Sequence, residues 1–435
     1  MRRPKIDELI TWKNSSSRKP LIIRGARQVG KTWLMKEFGN TQYAQTVYVN
    51  FEKNKRLQSL FTDDFDIKRV IVALQAESGL TIDTENTLLI FDEIQEVPEA
   101  LTALKYFYED APGYHIISAG SLLGVALHST TSFPVGKVIF MNLYPLTFLE
   151  FLEAIGEMTL VKLLNDSDWK LITTYKTRFI ERLRQYYYVG GMPEAVLKFS
   201  ENSNFKEVRE IQKQILEAYE QDFSKHAPRD IIPRIRMVWN SIPAQLAKEN
   251  RKFIYGIIKE GARAKDYELA LSWLIDCGLV HKICRVTKPA VPLKAYEDRS
   301  AFKLFLADIG LLTAMGDIDS KTLLEGNTIF SEFKGALTEQ YVLQQLKSVD
   351  EHIIYYWSAE RSTSEIDFIS QFKDRVVPIE VKAEENLQAK SLKVYMEKFS
   401  PEISIRTSMS DFRKQDWLTN LPLYALSRLN YLITE

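Results

Sequence analysis

Leu21-Ile22-Ile23-Arg24-Gly25-Ala26-Arg27-Gln28-Val29-Gly30-Lys31-Thr32 is an apolar strand that runs into a G-x-x-x-x-G-K-T turn, and Trp33-Leu34-Met35-Lys36-Glu37-Phe38 continues it with a helical pattern. A strand, a glycine turn and a helix start, in that order, are the context in which such a motif cradles phosphate. Gly25 and Gly30 let the main chain turn without a Cβ between it and phosphate oxygens. Successive N–H groups and the helix N-terminus supply positive potential. Lys31 is placed to reach β/γ-phosphates and Thr32 to hold Mg²⁺ through its hydroxyl. Gly25, Ala26, Arg27, Gln28, Val29, Gly30, Lys31, Thr32 and Trp33 are therefore candidate nucleotide contacts.

Working outward, Thr46 to Phe51 is β-branched and aromatic, hence strand-like, and Ile67 to Ala76 reads as a helix. Thr87-Leu88-Leu89-Ile90-Phe91 is a continuous apolar run of the kind found in buried parallel strands, and it ends in Asp92-Glu93. Two carboxylates at a strand end downstream of a phosphate loop fit a Walker B arrangement. Asp92 would hold Mg²⁺, directly or through water, and Glu93 would act as general base on the attacking water. After a helix over Pro98 to Tyr108, the strand Tyr114 to Ser121 ends in small hydroxyl residues. Ser118 and Ser121 are candidates to sense the γ-phosphate, with Ser121 preferred. Asn50, at the second strand's end, either regulates Glu93 or serves a turn. Val138 to Met141 is a further strand, and Thr147 to Ala154 a helix. Strand and helix alternate from residue 20 to about 155, which predicts a doubly wound α/β domain.

From about 156 to 235 the pattern is helical, with Leu171 to Tyr187 as its longest periodic piece and Tyr188-Val189-Gly190-Gly191-Met192-Pro193 interrupting it. Ile242 to Ala247, Phe253 to Ile258 and Tyr267 to Cys277 then read as three short helices, followed by strands over 278–286 and 287–294, the order of a winged helix. Residues 241 to 290 hold nine basic side chains against five acidic ones. That local excess suits a phosphate-contacting surface for DNA, although winged helices also dock proteins. The spacing predicts four domains: 1–155, 156–235, 236–315 and 316–435.

The last of these carries a second constellation. Glu332 to Leu346 is a helix pattern containing Glu339, and Glu365 to Ile369 and Val376 to Lys382 read as two strands of a hairpin. Asp367 and Glu380 would ligate Mg²⁺ or Mn²⁺, Lys382 would steer or activate water, and Glu339 would complete or orient the shell. Charges in the otherwise apolar Val-Val-Pro-Ile-Glu-Val-Lys need a reason to be there.

At 435 residues the chain exceeds one hydrophobic core. Lys plus Arg and Asp plus Glu both number 57, so net charge gives no global pull toward nucleic acid or membrane. Cys277 and Cys284 are the only cysteines, which argues against a disulfide framework or zinc site and fits a reducing compartment. The N-terminus lacks the apolar core of a signal peptide, and no stretch approaches the ~20 apolar residues of a membrane span. The expectation is a soluble cytoplasmic protein.

Taken together, Gly25 to Thr32, Leu88 to Glu93, Ala119-Gly120-Ser121, Leu143-Tyr144-Pro145-Leu146, Tyr188 to Pro193 and Ile366 to Lys382 resemble a family of prokaryotic AAA+ ATPases whose C-terminal domain looks like a PD-(D/E)xK nuclease. The resemblance implies a P-loop AAA+ doubly wound parallel sheet, then a helical region, a winged helix and a C-terminal restriction-endonuclease-like α/β domain. It implies ATP and Mg²⁺ at Lys31, Thr32, Asp92 and Glu93, and a nuclease-like cluster at Asp367, Glu380 and Lys382. Where the family pattern carries Gly-Arg near the end of the ATPase core, this chain has Gly136-Lys137, so no arginine finger is assigned there. Two outputs follow for the nucleotide state: action on DNA, or gated docking of a protein partner with an inactive nuclease-like domain.

Overall fold

Every residue from Thr87 to Asp92 is buried, as a near-continuous apolar run requires when both faces of a parallel strand are covered. The computed structural model describes residues 3–62, 65–120, 134–248, 252–325, 331–349, 352–359, 363–385 and 389–434. It divides into two compact units, Arg2–Tyr144 with Asp276–Leu279, and Pro145–Ile275 with Val280–Glu435.

In the first unit β1 (Leu21–Arg24), β2 (Gln45–Asn50), β3 (Thr87–Asp92), β4 (His115–Ala119) and β5 (Ile139–Asn142) form a sheet in the order β2-β3-β4-β1-β5. All four pairings are parallel. Helices Lys31–Gln42, Ile67–Ser78 and Pro98–Asp110 make the crossovers. Asp66 caps the second through the N–H groups of Lys68 and Arg69, and Pro98 opens the third, where a missing N–H costs nothing. Phe51, Phe61 and Phe91 meet edge to face with centroids 5.4 to 5.9 Å apart. Burying each such ring contributes about 1.5–3 kcal/mol. The register sets the site: Ile23 of β1 and Asp92 of β3 both lie opposite Ala119 of β4. The carboxyl ends of β1 and β3 therefore stand level, one strand apart.

The second unit begins with helices, from Phe148–Ala154, whose Thr147/Glu150 capping box is complete, to Ile232–Leu246. The helix expected over Leu171 to Tyr187 is two, Trp169–Thr174 and Lys176–Val189. Asp168 starts the first by accepting from the Leu171 N–H. The Thr174 hydroxyl bonds back to the Lys170 carbonyl, which competes with continued winding. The short helices Tyr255–Ile258 and Ala264–Asp276 follow.

The strand expected over 287–294 is not formed. Pro289 and Pro292 lack N–H groups for a ladder, and the chain instead makes a short 3₁₀ turn, Leu293–Tyr296. Its hairpin partner comes later: β6 (Val280–Val286) pairs antiparallel with β7 (Glu297–Leu306). Nor does this hairpin stand alone. β8 (His352–Ser358), β9 (Glu365–Phe372), β10 (Arg375–Val381), β11 (Ile405–Ser408), β12 (Arg413–Lys414) and β13 (Thr419–Pro422) join it in one sheet ordered β12-β13-β11-β10-β9-β8-β6-β7.

A buried carboxylate explains the Tyr188 to Pro193 motif. Asp308 accepts from the N–H groups of Gly191 (2.6 Å) and Leu311 (3.0 Å) and from the Gln344 amide (3.1 Å). Burial raises its carboxyl above the usual range, with those amides opposing the rise. Gln344 also donates to Tyr186, whose hydroxyl donates to the Leu146 carbonyl. The glycine break thus joins helix to helix in this unit.

Candidate nucleotide site

The loop after β1 needs its glycines for two separate reasons. A Cβ on Gly25 would lie 2.1 Å from the Leu143 carbonyl oxygen, and Gly30 holds φ 95° at the start of the following helix. Lys31 is buried, and its ammonium donates to the carbonyls of Gly25 (2.9 Å) and Ala26 (2.8 Å). Burial pulls this ammonium down to about 8, with Glu93 and Asp92 opposing the fall and Arg27 adding to it. Val29 is fully buried beneath the loop, whereas Trp33 is 42% exposed.

Level strand ends bring the second half of the site to the first. The Thr32 hydroxyl donates to Asp92 Oδ2 at 2.7 Å, and the Tyr48 hydroxyl donates to the same oxygen at 2.8 Å. Asp92 Oδ1 accepts from the Glu93 N–H at 3.1 Å. Glu93 takes a left-handed φ of 51° at the head of the 3₁₀ turn Ile94–Glu96, and Gln95 Nε2 donates to its Oε2 at 2.7 Å. Hard hydroxyl and carboxylate oxygens beside a buried ammonium and a glycine cradle are a donor set that fits Mg²⁺ and a triphosphate.

Tyr48 and Gln95 escaped the reading by motif. Tyr48 reaches Asp92 through the β2/β3 pairing, in which Asn50 lies opposite Asp92. Burial lifts its phenol to about 12, so it remains a protonated donor. The Lys36 ammonium covers its ring at 3.9 Å from the centroid. The Asn50 side chain accepts from the Lys53 N–H and donates to Tyr48. Ser118 is buried within β4, its hydroxyl without a hydrogen-bond partner among the described residues. Ser121 lies outside the described residues. Lys137 pairs with Glu109 at 2.9 Å.

The second constellation lies in the eight-stranded sheet. Pairing of β9 with β10 puts Ile379 opposite Phe368, so Asp367 and Glu380 are neighbours along the hairpin. Asp367 Oδ2 accepts from the Val381 N–H at 2.7 Å. Lys382 meets Glu380 Oε1 at 2.9 Å, and Arg406 lies opposite Glu380 on β11. Burial raises the Glu380 carboxyl, Lys382 opposes this and Asp367 adds to it. Glu339 meets the fully buried Lys303 at 3.4 Å, which also meets Glu365 at 2.5 Å. Among the described residues no group of three His, Cys, Asp or Glu side chains could hold a metal ion. No described helix is long and apolar enough to cross a membrane.

Three family models match separate parts of the chain: an AAA domain over residues 17–152, and domains of unknown function over 180–322 (DUF8612) and 334–426 (DUF4143). No curated protein matches it. Among solved structures it is similar to a Walker-type ATPase of Pyrococcus abyssi at 15% identity, covering 72% of this chain and 95% of that one, with a TM-score of 0.46. It is also similar to the Aeropyrum pernix ORC1 protein in complex with DNA (13% identity, 72% and 90% covered, TM-score 0.26). A third is a signal transduction ATPase (STAND) protein from Pyrococcus horikoshii (14% identity, 80% and 45% covered, TM-score 0.25). With the parallel sheet and loop geometry above, the match over residues 17–152 makes the N-terminal unit an AAA-type P-loop domain, the fold of nucleotide-binding ATPases.

Proposed function

We propose that the protein is a Mg²⁺-dependent ATPase whose nucleotide state controls docking of a macromolecular partner by its C-terminal region. The observation that carries the ATPase reading is the Thr32 hydroxyl at 2.7 Å from Asp92, which joins the phosphate loop to the strand that ends in Glu93. Bound Mg²⁺·ATP supplies the electrophilic γ-phosphorus. Thr32 and Asp92 supply oxygen ligands for the cation, and Lys31 leaves its loop carbonyls for phosphate oxygens. Glu93 takes the proton of the attacking water. Lys31→Ala and Glu93→Gln are each expected to lower ATP turnover by about 10²-fold or more, the range for removing a transition-state contact or a general base. Glu93→Gln should keep nucleotide affinity, measured with a fluorescent analogue; turnover that survives both substitutions overturns the reading.

Binding is favoured over cleavage at the C-terminal cluster by one observation, the ammonium groups that already meet its carboxylates, Lys303 at Glu339 and Lys382 at Glu380. The helix, helix and hairpin order over residues 255–306 and the local basic excess support DNA as the docked partner. Purified protein with Mn²⁺ or Mg²⁺ should leave plasmid DNA intact. Cleavage that disappears in Asp367→Ala would establish nuclease chemistry instead.

A further inference from the structure

We infer that a cleft in the second unit is a binding site for a small monocarboxylate with an apolar body. The cleft, about 330 Å³, lies among the helices Lys176–Val189, Ser320–Glu325 and Ser331–Lys347 and the chain that follows β10. That volume is at the lower end of what small-ligand pockets enclose. Ile180, Leu323, Ala383 and Met409 line it with apolar surface, and Arg184 and Tyr187 bring polar groups to it.

Both polar groups have donors left over. The Arg184 guanidinium is half-buried, and the Leu324 carbonyl, at 3.0 Å, is its one partner among the described residues. A guanidinium removed from water is ordinarily matched by an anion. The Tyr187 hydroxyl is buried and has no hydrogen-bond partner among the described residues. Thr338 lies close enough to favour its ionised form, but the Thr338 proton is directed to the Lys334 carbonyl at 2.8 Å. Burial raises the phenol, which therefore stays a protonated donor. Arg184 and Tyr187 are three residues apart on one helix, so they share a face, and together they call for an acceptor in the cleft.

The charges on the walls set how much negative charge that acceptor carries. Lys334 is paired with Glu384 at 2.8 Å, and Glu385 with Lys176 at 2.5 Å. Of the cations here, Arg184 is the one that no described carboxylate meets, and it matches a single negative charge. Glu181, on the same helix, lines a hollow of about 460 Å³ that shares Ile180 and Arg184 with the cleft. A dianionic phosphate monoester would therefore meet excess negative charge. A planar carboxylate instead accepts two parallel N–H bonds from the guanidinium fork, and its apolar body covers Ile180, Leu323 and Met409.

Isothermal titration of the full chain with hydrocinnamate should give a Kd of about 1 mM or tighter, as a ligand of this size permits. Its uncharged alcohol and phenyl phosphate should each bind at least about tenfold more weakly. Arg184→Lys keeps the charge but not the fork and should lose about tenfold in affinity for the carboxylate. Tyr187→Phe should lose about threefold to tenfold. Without ligand it should nevertheless unfold at the wild-type midpoint or above, because it deletes a buried hydroxyl that has no partner. Affinity unchanged in both variants, an alcohol that binds as well as the acid, an Arg184-dependent preference for phosphate, or no binding at about 10 mM each overturns the inference. So does a lowered midpoint in unliganded Tyr187→Phe, which would assign the hydroxyl to the fold.

Discussion

The two acidic clusters of this chain, Asp92/Glu93 and Asp367/Glu380, have the same local grammar: carboxylates at or near the end of an apolar strand. The hydrogen-bond donors described on them differ in charge, although the Lys31 ammonium also lies close enough to Asp92 and Glu93 to be favoured by both. Asp92 is met by the neutral hydroxyls of Thr32 and Tyr48, and Glu93 by the neutral amide of Gln95. Glu380 is met by Lys382 and lies opposite Arg406, and Glu339 is met by Lys303. Neutral donors orient a carboxylate and leave its charge for an incoming cation, whereas an ammonium at salt-bridge distance has already compensated it. The first cluster presents hydroxyl and carboxylate oxygens of the kind that suit Mg²⁺, and in the second Glu380 and Glu339 each already meet an ammonium.

The largest test of this contrast is Lys303→Met. It leaves Glu339 and Glu365 beside an apolar side chain, and breaking a buried pair by removing one partner costs about 3–5 kcal/mol. Denaturant unfolding should show that loss, and replacing Glu339 with Leu in the same chain should recover part of it. If the single variant unfolds at the wild-type midpoint, the charge balance of the second unit is not what holds it.

A smaller effect comes from pH at the first cluster. The Lys31 ammonium, pulled down to about 8 by burial, is protonated below that pH and able to hold phosphate. Raising the pH through 8 removes the proton and with it the attraction. ATP affinity should therefore fall by up to about tenfold per pH unit above that point, each unit of protonation being worth 1.36 kcal/mol. Lys31→Arg, which keeps its charge, should be flat over the same range; a flat wild-type titration from pH 7 to 9.5 would show that burial does not lower the Lys31 ammonium.

The smallest effect is expected from Tyr48→Phe, which removes one hydroxyl from Asp92 while Thr32 remains. A single hydrogen bond to a charged group is worth about 1.5–3 kcal/mol at most and less where the partner stays solvated. Half-saturating Mg²⁺ in the turnover assay should rise a few-fold, with little change in KM for ATP. An unchanged Mg²⁺ dependence would leave Tyr48 as a packing residue under Lys36.

Much of the first unit was legible because its signals are contiguous. The apolar run of β3 ends at Asp92 as read, and the glycine turn opens a helix at Lys31. The hairpin of the second unit was legible in kind but not in register. Pro289 and Pro292 delay its return strand to Glu297, and the hairpin then joins a sheet whose other members begin only at His352. The role of Tyr188 to Pro193 was not legible at all, because its partner Asp308 is separated from Gly191 by 117 positions.

What the sequence by itself determined is the phosphate loop and the pair Asp92/Glu93, since backbone turns and strand ends are dictated by neighbours along the chain. Tertiary structure alone decided what each carboxylate meets. Strand pairing put Tyr48 beside Asp92, and folding of β7 against the helix Ser331–Lys347 committed Glu339 to Lys303 across 36 positions. The physical reason is that a carboxylate's chemistry is set by the charge and solvation of whatever packs against it, and only a folded chain specifies that neighbour.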